Sequence, residues 1–290
     1  MKQVINQLIQ LQDLNFSLEE HKALTSKTHL KDLEKSIKAL SKDLPPDINK
    51  LFSKLVDHYS TAVVPMADGT CTGCGMSVPT MMAYDIQIGD KMIQCPRCTR
   101  ILYYREALPR QLKKITKVSA APQAGIARFS SSKLMIPELE AETRDEALEE
   151  MINKMAAEGY VEKPKNLLQA ALSRESIVPT AVEHALAFPH VRGVEGGGLI
   201  FAAGLKKTGL KFGAPNNRLT KIVFFIVIPL AASAFYLQLI AGLMDTFRDT
   251  KSRTRILNAK TQDKMWDALR KLTKKTIPST NTRINKKSTT

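Results

Sequence analysis

The chain has 290 residues, 43% of them apolar and 24% charged, enough to bury a core in each of two domains and too apolar for a disordered chain. Its formal net charge of +15 sits in two stretches: residues 105–132 hold six Lys/Arg against one Glu, and residues 251–290 hold twelve against two Asp. Charge confined to a linker and a tail marks solvated segments, able to contact phosphates without reading a sequence, and it excludes a chain that is basic throughout. The N-terminus, interrupted by Gln, Asn and Asp, lacks the unbroken apolar region of a signal peptide, so the chain is read as cytoplasmic.

The first 62 residues read as helices. Val4, Leu8, Leu11 and Leu18 recur at helical spacing, as do Leu30, Leu33, Ile37 and Leu40. Pro45 and Pro46 end the second segment and open a third, with Ile48, Leu51, Phe52 and Leu55 on one face. Such stripes suit a small bundle or a coiled-coil-like arm, and equally the seam of a homodimer.

Residues 63–104 contain all four cysteines, as Cys71-x-x-Cys74 and Cys95-x-x-Cys98 with twenty residues between the pairs. A CxxC turn sets two thiolates along one edge of a tetrahedron, so the pattern predicts a structural Zn2+ held by Cys71, Cys74, Cys95 and Cys98. Four thiolates leave no coordination position for a substrate. Disulfides are the alternative, disfavoured in a chain without a secretion signal. Residues 76–94 and 100–104 read as the short strands of a zinc ribbon. Helices followed by a four-cysteine ribbon resemble the bacterial coiled-coil zinc-ribbon proteins, which implies a protein or nucleic-acid partner without naming it.

Residues 105–132 have the Ala/Pro/Gly/Ser composition of a basic linker. Beyond them strand and helix signals alternate, which predicts a layered α/β domain. Thr143 with Glu146 forms a capping box for a helix reaching Ala157, Pro164 starts a helix to about Ser173, and Thr261 opens a last helix through Leu272. "GGGLIFAAGL" (196–205) and "KIVFFIVI" (221–228) read as strands. Residues 222–244 carry no charge over a length that spans a bilayer, but the β-branched run up to Pro229 and the helical spacing of Leu237, Ile240, Leu243 and Met244 predict strand, turn and helix instead, with no membrane span.

One stretch in this domain, "EHALAFPHVRG" (183–193), demands a choice. His190 is a buried core histidine or a group that does chemistry; as a metal ligand with His184 it lacks a third partner at any suitable spacing. A neutral imidazole near pH 7 has a free lone pair and can attack phosphorus, and Arg174, sixteen residues upstream, offers a fork of donors for phosphoryl oxygens.

The ordered set "ALSRES", "ALAFPH", "GGGLIFAAGL", "KIVFFIVIP" and "LQLIAGLMDTFRD" resembles the EIIA domains of the fructose/mannitol and nitrogen-regulatory type of the bacterial phosphotransferase system. The resemblance implies a phosphorelay in which His190 accepts phosphate from the phosphocarrier HPr, beside Arg174, and passes it to an unknown downstream protein. It also implies a second active-site histidine, where this chain has Tyr236, a neutral hydrogen-bond donor. Val191 and Ala185 stand where glycines are common, and Arg192 is a candidate to restore the lost positive charge. The rival is a non-phosphorylated docking module whose ribbon and basic tail bind a protein or nucleic acid. The expected architecture is therefore multidomain: an α-helical arm (1–62), a small β zinc ribbon (63–104), a linker (105–132), a three-layer α/β EIIA-like domain with a mixed sheet (133–275) and a disordered basic tail (276–290).

Overall fold

The computed structural model describes residues 1–23, 30–104, 125–194, 198–214, 217–229 and 233–277. The chain divides into two compact units, Met1–Pro109 and Arg110–Thr290. Most of the expected linker (105–124) and tail (278–290) lies outside the described residues.

The first unit opens with α1 (Lys2–Ala23), α2 (Leu30–Lys42) and α3 (Pro46–Tyr59). Their predicted stripes meet in one cluster: Leu8 and Leu11 of α1 pack with Leu44, Ile48, Phe52 and Leu55. Gln12 joins helix to sheet, its Oε1 accepting from the backbone N–H groups of Ala62 (2.7 Å) and Val63 (2.9 Å) while its Nε2 donates to the Val63 carbonyl (2.9 Å). One amide side chain thus satisfies three backbone groups that would otherwise be left unpaired beside a helix.

The ribbon comprises β1 (Val63–Ala67), β2 (Thr70–Cys71), α4 (Thr80–Ile88), β3 (Ile93–Gln94) and β4 (Ile101–Tyr104), with sheet order β2-β1-β4-β3. Asp68 and Gly69 both take positive φ (47° and 67°) between β1 and β2, the two-residue turn that matches strand twist. The expected all-strand ribbon needs one correction, since residues 80–88 are a helix. Pro79 precedes it with an extended backbone and Gly89 ends it at φ 73°. Met82, Tyr84, Ile86 and Ile88 alternate as in a strand, yet only Ile86 is buried, while Met81, Tyr84 and Ile88 face outward on the helix.

The second unit is built on a six-stranded mixed sheet: β5 (Met135–Ile136), β6 (Ala181–Val182), β7 (Leu186–Ala187), β8 (His190–Val194), β9 (Ile200–Leu210) and β10 (Thr220–Pro229), interleaved with α5 (Arg144–Ala157) and α6 (Pro164–Ile177) and followed by α7 (Ser233–Arg248), α8 (Thr250–Leu257) and α9 (Gln262–Leu272). β10 lies at the centre, antiparallel to β9 and parallel to both β7 and β8. Residues 222–228 are all buried, which is why this strand is apolar on both faces. Phe224 stacks on Phe188 and meets Phe201 and Phe247 edge-on or tilted, at 5.6–5.9 Å between ring centres.

The capping box is present, Thr143 and Glu146 bonding reciprocally at the start of α5, and Thr261 caps α9. Two boundaries differ from composition. Residues 125–132 are folded, with Ile126 and Phe129 buried and both polar groups of Phe201 engaged, its N–H by the Phe129 carbonyl (2.9 Å) and its carbonyl by Ser130 Oγ (2.7 Å). At the other end Ile277 is buried, where its Cγ1 would lie 2.7 Å from a Cβ placed on Gly242, so α7 needs glycine there. No helix among the described residues is long and apolar enough to cross a membrane.

Candidate functional site

Four sulfurs converge in the ribbon, all within 4.8 Å of one another. Cys71 and Cys98 Sγ are 3.8 Å apart, and Cys74 and Cys95 Sγ 3.6 Å. A tetrahedron of Zn–S bonds near 2.3 Å has edges of about 3.8 Å, so the pocket fits Zn2+. The two knuckles close alike: Gly75 N–H bonds to the Cys71 carbonyl and Thr99 N–H to the Cys95 carbonyl (2.8 and 2.9 Å), with both closing residues in the left-handed region (φ 73° and 58°). Burial drives the Cys71 and Cys98 thiols above their ordinary range. At Cys95 burial acts the same way but is outweighed by N–H donors of Cys98 and Arg97, leaving it at about 7. Thiols gathered out of water ionise together only around a cation, and structural Zn2+ supplies it.

The second constellation lies where β8 begins. Pro189 and His190 are fixed by the central strand: Ile226 N–H bonds to the Pro189 carbonyl at 2.8 Å, and His190 pairs in register with Ile226. The His190 side chain is 2% exposed. Arg174 reaches it from α6, which runs one turn beyond the expected end at Ser173; that extra turn carries Arg174 and Glu175. Arg174 Nε donates to His190 Nε2 at 3.3 Å, and its Nη1 donates to the Val178 carbonyl at 3.0 Å. On the other side of the ring, Nδ1 lies 3.1 Å from the Phe188 carbonyl and 3.0 Å from Tyr236 Oη on α7.

These contacts select one tautomer. A guanidinium N–H only donates, so Nε2 must present its lone pair to Arg174; a carbonyl only accepts, so Nδ1 must carry the proton facing Phe188. Tyr236 Oη then receives part of the Nδ1–H bond, which makes its oxygen an acceptor at this atom, where sequence alone suggested a donor.

Sequence reasoning passed over Glu175. It is 1% exposed, with Oε1 accepting from Thr180 N–H and Oε2 meeting Thr180 Oγ1, both at 2.8 Å. The Thr180 carbonyl in turn accepts from Phe188 N–H at 3.1 Å. Glu175 thereby ties the turn that presents Arg174 to the segment that presents His190. Burial raises its pKa, opposed by the Thr180 N–H and hydroxyl and by the charge of Arg174. The signal was its place directly after Arg174; what hid it was that an isolated charge in a helix reads as solvated.

His184 stands apart from this cluster. It and Ala185 adopt left-handed backbone (φ 66° and 62°) in the turn before β7, and burial followed by the field of Arg253 lowers the His184 pKa.

A fold of this kind, with an imidazole lone pair covered by an arginine at the edge of a central strand, defines a class of histidine-centred α/β domain. Over residues 128–272, half of the chain, the sequence matches the family described as phosphoenolpyruvate-dependent sugar phosphotransferase system, EIIA 2, and residues 70–102 match the C4-type zinc ribbon domain. The chain belongs to the EIIA 2 family and carries a zinc ribbon. An EIIA-type domain supports a phosphotransfer or regulatory role. The chain is similar to the PTS system 2-O-alpha-mannosyl-D-glycerate-specific EIIABC component of Escherichia coli, at 29% identity over 129 residues, 44% of this chain and 20% of that protein. It therefore spans about a fifth of that relative's length. It is also similar to the PTS system fructose-specific EIIA component of Haloferax volcanii, at 24% identity over 127 residues, 44% of this chain and 82% of that protein. Among solved structures, nitrogen regulatory protein IIA-Ntr from Neisseria meningitidis aligns with a TM-score of 0.45 and 16% identity, over 49% of this chain and 97% of that one.

Proposed function

We propose that this protein is a phosphorelay component that accepts a phosphoryl group from phospho-HPr on Nε2 of His190 and serves a regulatory or transfer role through a downstream protein. The observation that supports this reading is the tautomer: Nε2 holds a lone pair and Nδ1 a proton anchored on the Phe188 carbonyl. In the transfer the Nε2–P bond forms while the donor's P–N bond breaks, the electron pair returning to the donor's imidazole. The proton stays on Nδ1, where the Phe188 carbonyl stabilises the positive character the ring acquires. Arg174 covers Nε2 before transfer, so its side chain must move aside for phosphorus to approach; its N–H groups then meet phosphoryl oxygens. Burial keeps water from the product, which suits a phosphoramidate that is meant to be passed on.

In this reading the helical arm and zinc ribbon form a binding module joined to the relay domain. The rival reading, in which the EIIA-like domain only docks and the basic segments grip protein or nucleic acid, rests on Tyr236 and becomes the account if no transfer occurs. Incubation with labelled phosphoenolpyruvate, Enzyme I and HPr decides between them. The wild type should take an acid-labile, base-stable label, His190→Ala none, and Arg174→Ala should be labelled at least about tenfold more slowly, about 1.4 kcal/mol in barrier. A wild type that takes no label from the phospho-HPr of its own organism overturns the relay.

A further inference from the structure

A phosphoryl group brings a charge near −2 into the site, and Arg174 supplies one positive charge against it. Tyr236 is neutral, and the Phe188 carbonyl presents the negative end of its dipole. In a site this buried, an uncompensated negative charge is costly, so a second cation is called for.

β8 provides one. His190 and Arg192 are two residues apart on the same strand, pairing with Ile226 and Ile228 of β10, so their side chains emerge on one face of the sheet. Tyr236 lies across both. Its hydroxyl is 3.0 Å from His190 Nδ1, and the Arg192 guanidinium carbon sits over its ring, 4.7 Å from the centre, within the range of a cation–π contact. Imidazole and phenol centres are 5.1 Å apart, so the two separations together keep the guanidinium within ~10 Å of the imidazole, a distance at which a cation in a partly dry setting still acts. The phenol ring also holds the guanidinium in place without neutralising it, as a carboxylate would.

Resting on the phosphorelay reading, we infer that Arg192 is the second positive charge of the His190 site: a positioning residue whose field, held in place by the Tyr236 ring, opposes protonation of the free imidazole and stabilises the phosphorylated one. The charged and titratable groups set against the ring are Arg174 and Glu175 on α6, Arg192 on β8 itself and Tyr236 on α7; Ile226 and Ile228 of β10 carry no charge. Glu175 is turned to Thr180, which leaves Arg174 and Arg192 as the cations of the cluster.

The test compares Arg192→Met with Arg192→Lys in the full chain. First, the His190 ring resonances of the unphosphorylated protein are followed against pH. A neighbouring cation disfavours the imidazolium, so Arg192→Met should raise the His190 midpoint by about half a unit to one unit, and Arg192→Lys should leave it near the wild-type value. Second, at equilibrium with a fixed phospho-HPr pool, the ratio of phosphorylated to free His190 should fall about five- to tenfold in Arg192→Met and recover in Arg192→Lys. If Arg192 only braces Tyr236, the two variants behave alike and the midpoint does not follow charge; that result overturns the inference. The titration needs no phosphate, so a wild type that takes no label refutes the relay alone, while the midpoint still decides whether Arg192 charges this site.

Discussion

Replacing Glu175 with glutamine should leave the second unit as stable as the wild type, and replacing it with alanine should not. The carboxyl is buried and faces two donors from one residue, Thr180 N–H and Thr180 Oγ1, each at 2.8 Å. Burial raises its pKa above the ordinary 4.5, against the opposing pull of the Thr180 donors, Arg174 and Arg144. In the protonated form, one oxygen accepts from the amide and the other donates to the hydroxyl. Glutamine reproduces that pattern, Oε1 accepting and Nε2 donating, so Glu175→Gln should cost under about 1 kcal/mol. Alanine removes both bonds, leaves a buried N–H and hydroxyl unpaired and opens a cavity, at about 2–4 kcal/mol. For a unit of this size each kcal/mol is worth about 2–4 °C, so Glu175→Ala should melt about 5–15 °C lower. Trp266, the chain's one tryptophan, lies on α9, so its fluorescence follows this unit alone. The pH dependence has a definite sign. A carboxyl with a raised folded pKa binds its proton more tightly in the fold, so its contribution is complete below the unfolded value and is lost as pH rises through the folded one. Glutamine cannot ionise, so wild type should lose stability relative to Glu175→Gln as pH climbs above 4.5. Equal melting of the Gln and Ala variants, or a wild-type-to-Gln difference that is flat with pH, would refute this account of the buried carboxyl.

The reduced protein should contain one Zn2+ per chain, and Cys71→Ser should lose it while leaving the Trp266 melting transition in place; metal analysis and fluorescence read the two effects separately. Ala185→Gly should raise the melting temperature of the second unit by about 2–4 °C, because Ala185 is held at φ 62°, where a Cβ costs about 1 kcal/mol and glycine is unstrained; an unchanged or lower value in thermal melts would contradict the strain.

Much of the fold could be read from short-range signals. The Thr143/Glu146 box names the start of α5 because both partners lie within one turn, and residues 222–228 declare a doubly buried strand by having no polar face. The zinc cysteines are legible for the same reason, each pair being closed by its own local turn. What was misread depends on partners distant in sequence. The α4 helix looked like a strand because its apolar residues alternate and most do not face a core. Residues 125–132 looked like linker because what holds them is Phe201, some seventy residues on. The same holds for the candidate site: His190 and Arg174 were legible as a spaced pair, but the fixing of the tautomer by Phe188, the tie from Glu175 to Thr180 and the stacking of Arg192 on Tyr236 exist only once α6, β8 and α7 are brought together.

The central claim is that Nε2 of His190 is the phosphoryl acceptor. The measurement that meets it most directly is 15N and 31P NMR of the chain, with nitrogen-labelled histidine, after incubation with phosphoenolpyruvate, Enzyme I and HPr. The account predicts that one of the five histidines is modified, that it is His190, and that the phosphorus couples to Nε2 while Nδ1 keeps its proton. Phosphorus on Nδ1, on another histidine, or on none would contradict it.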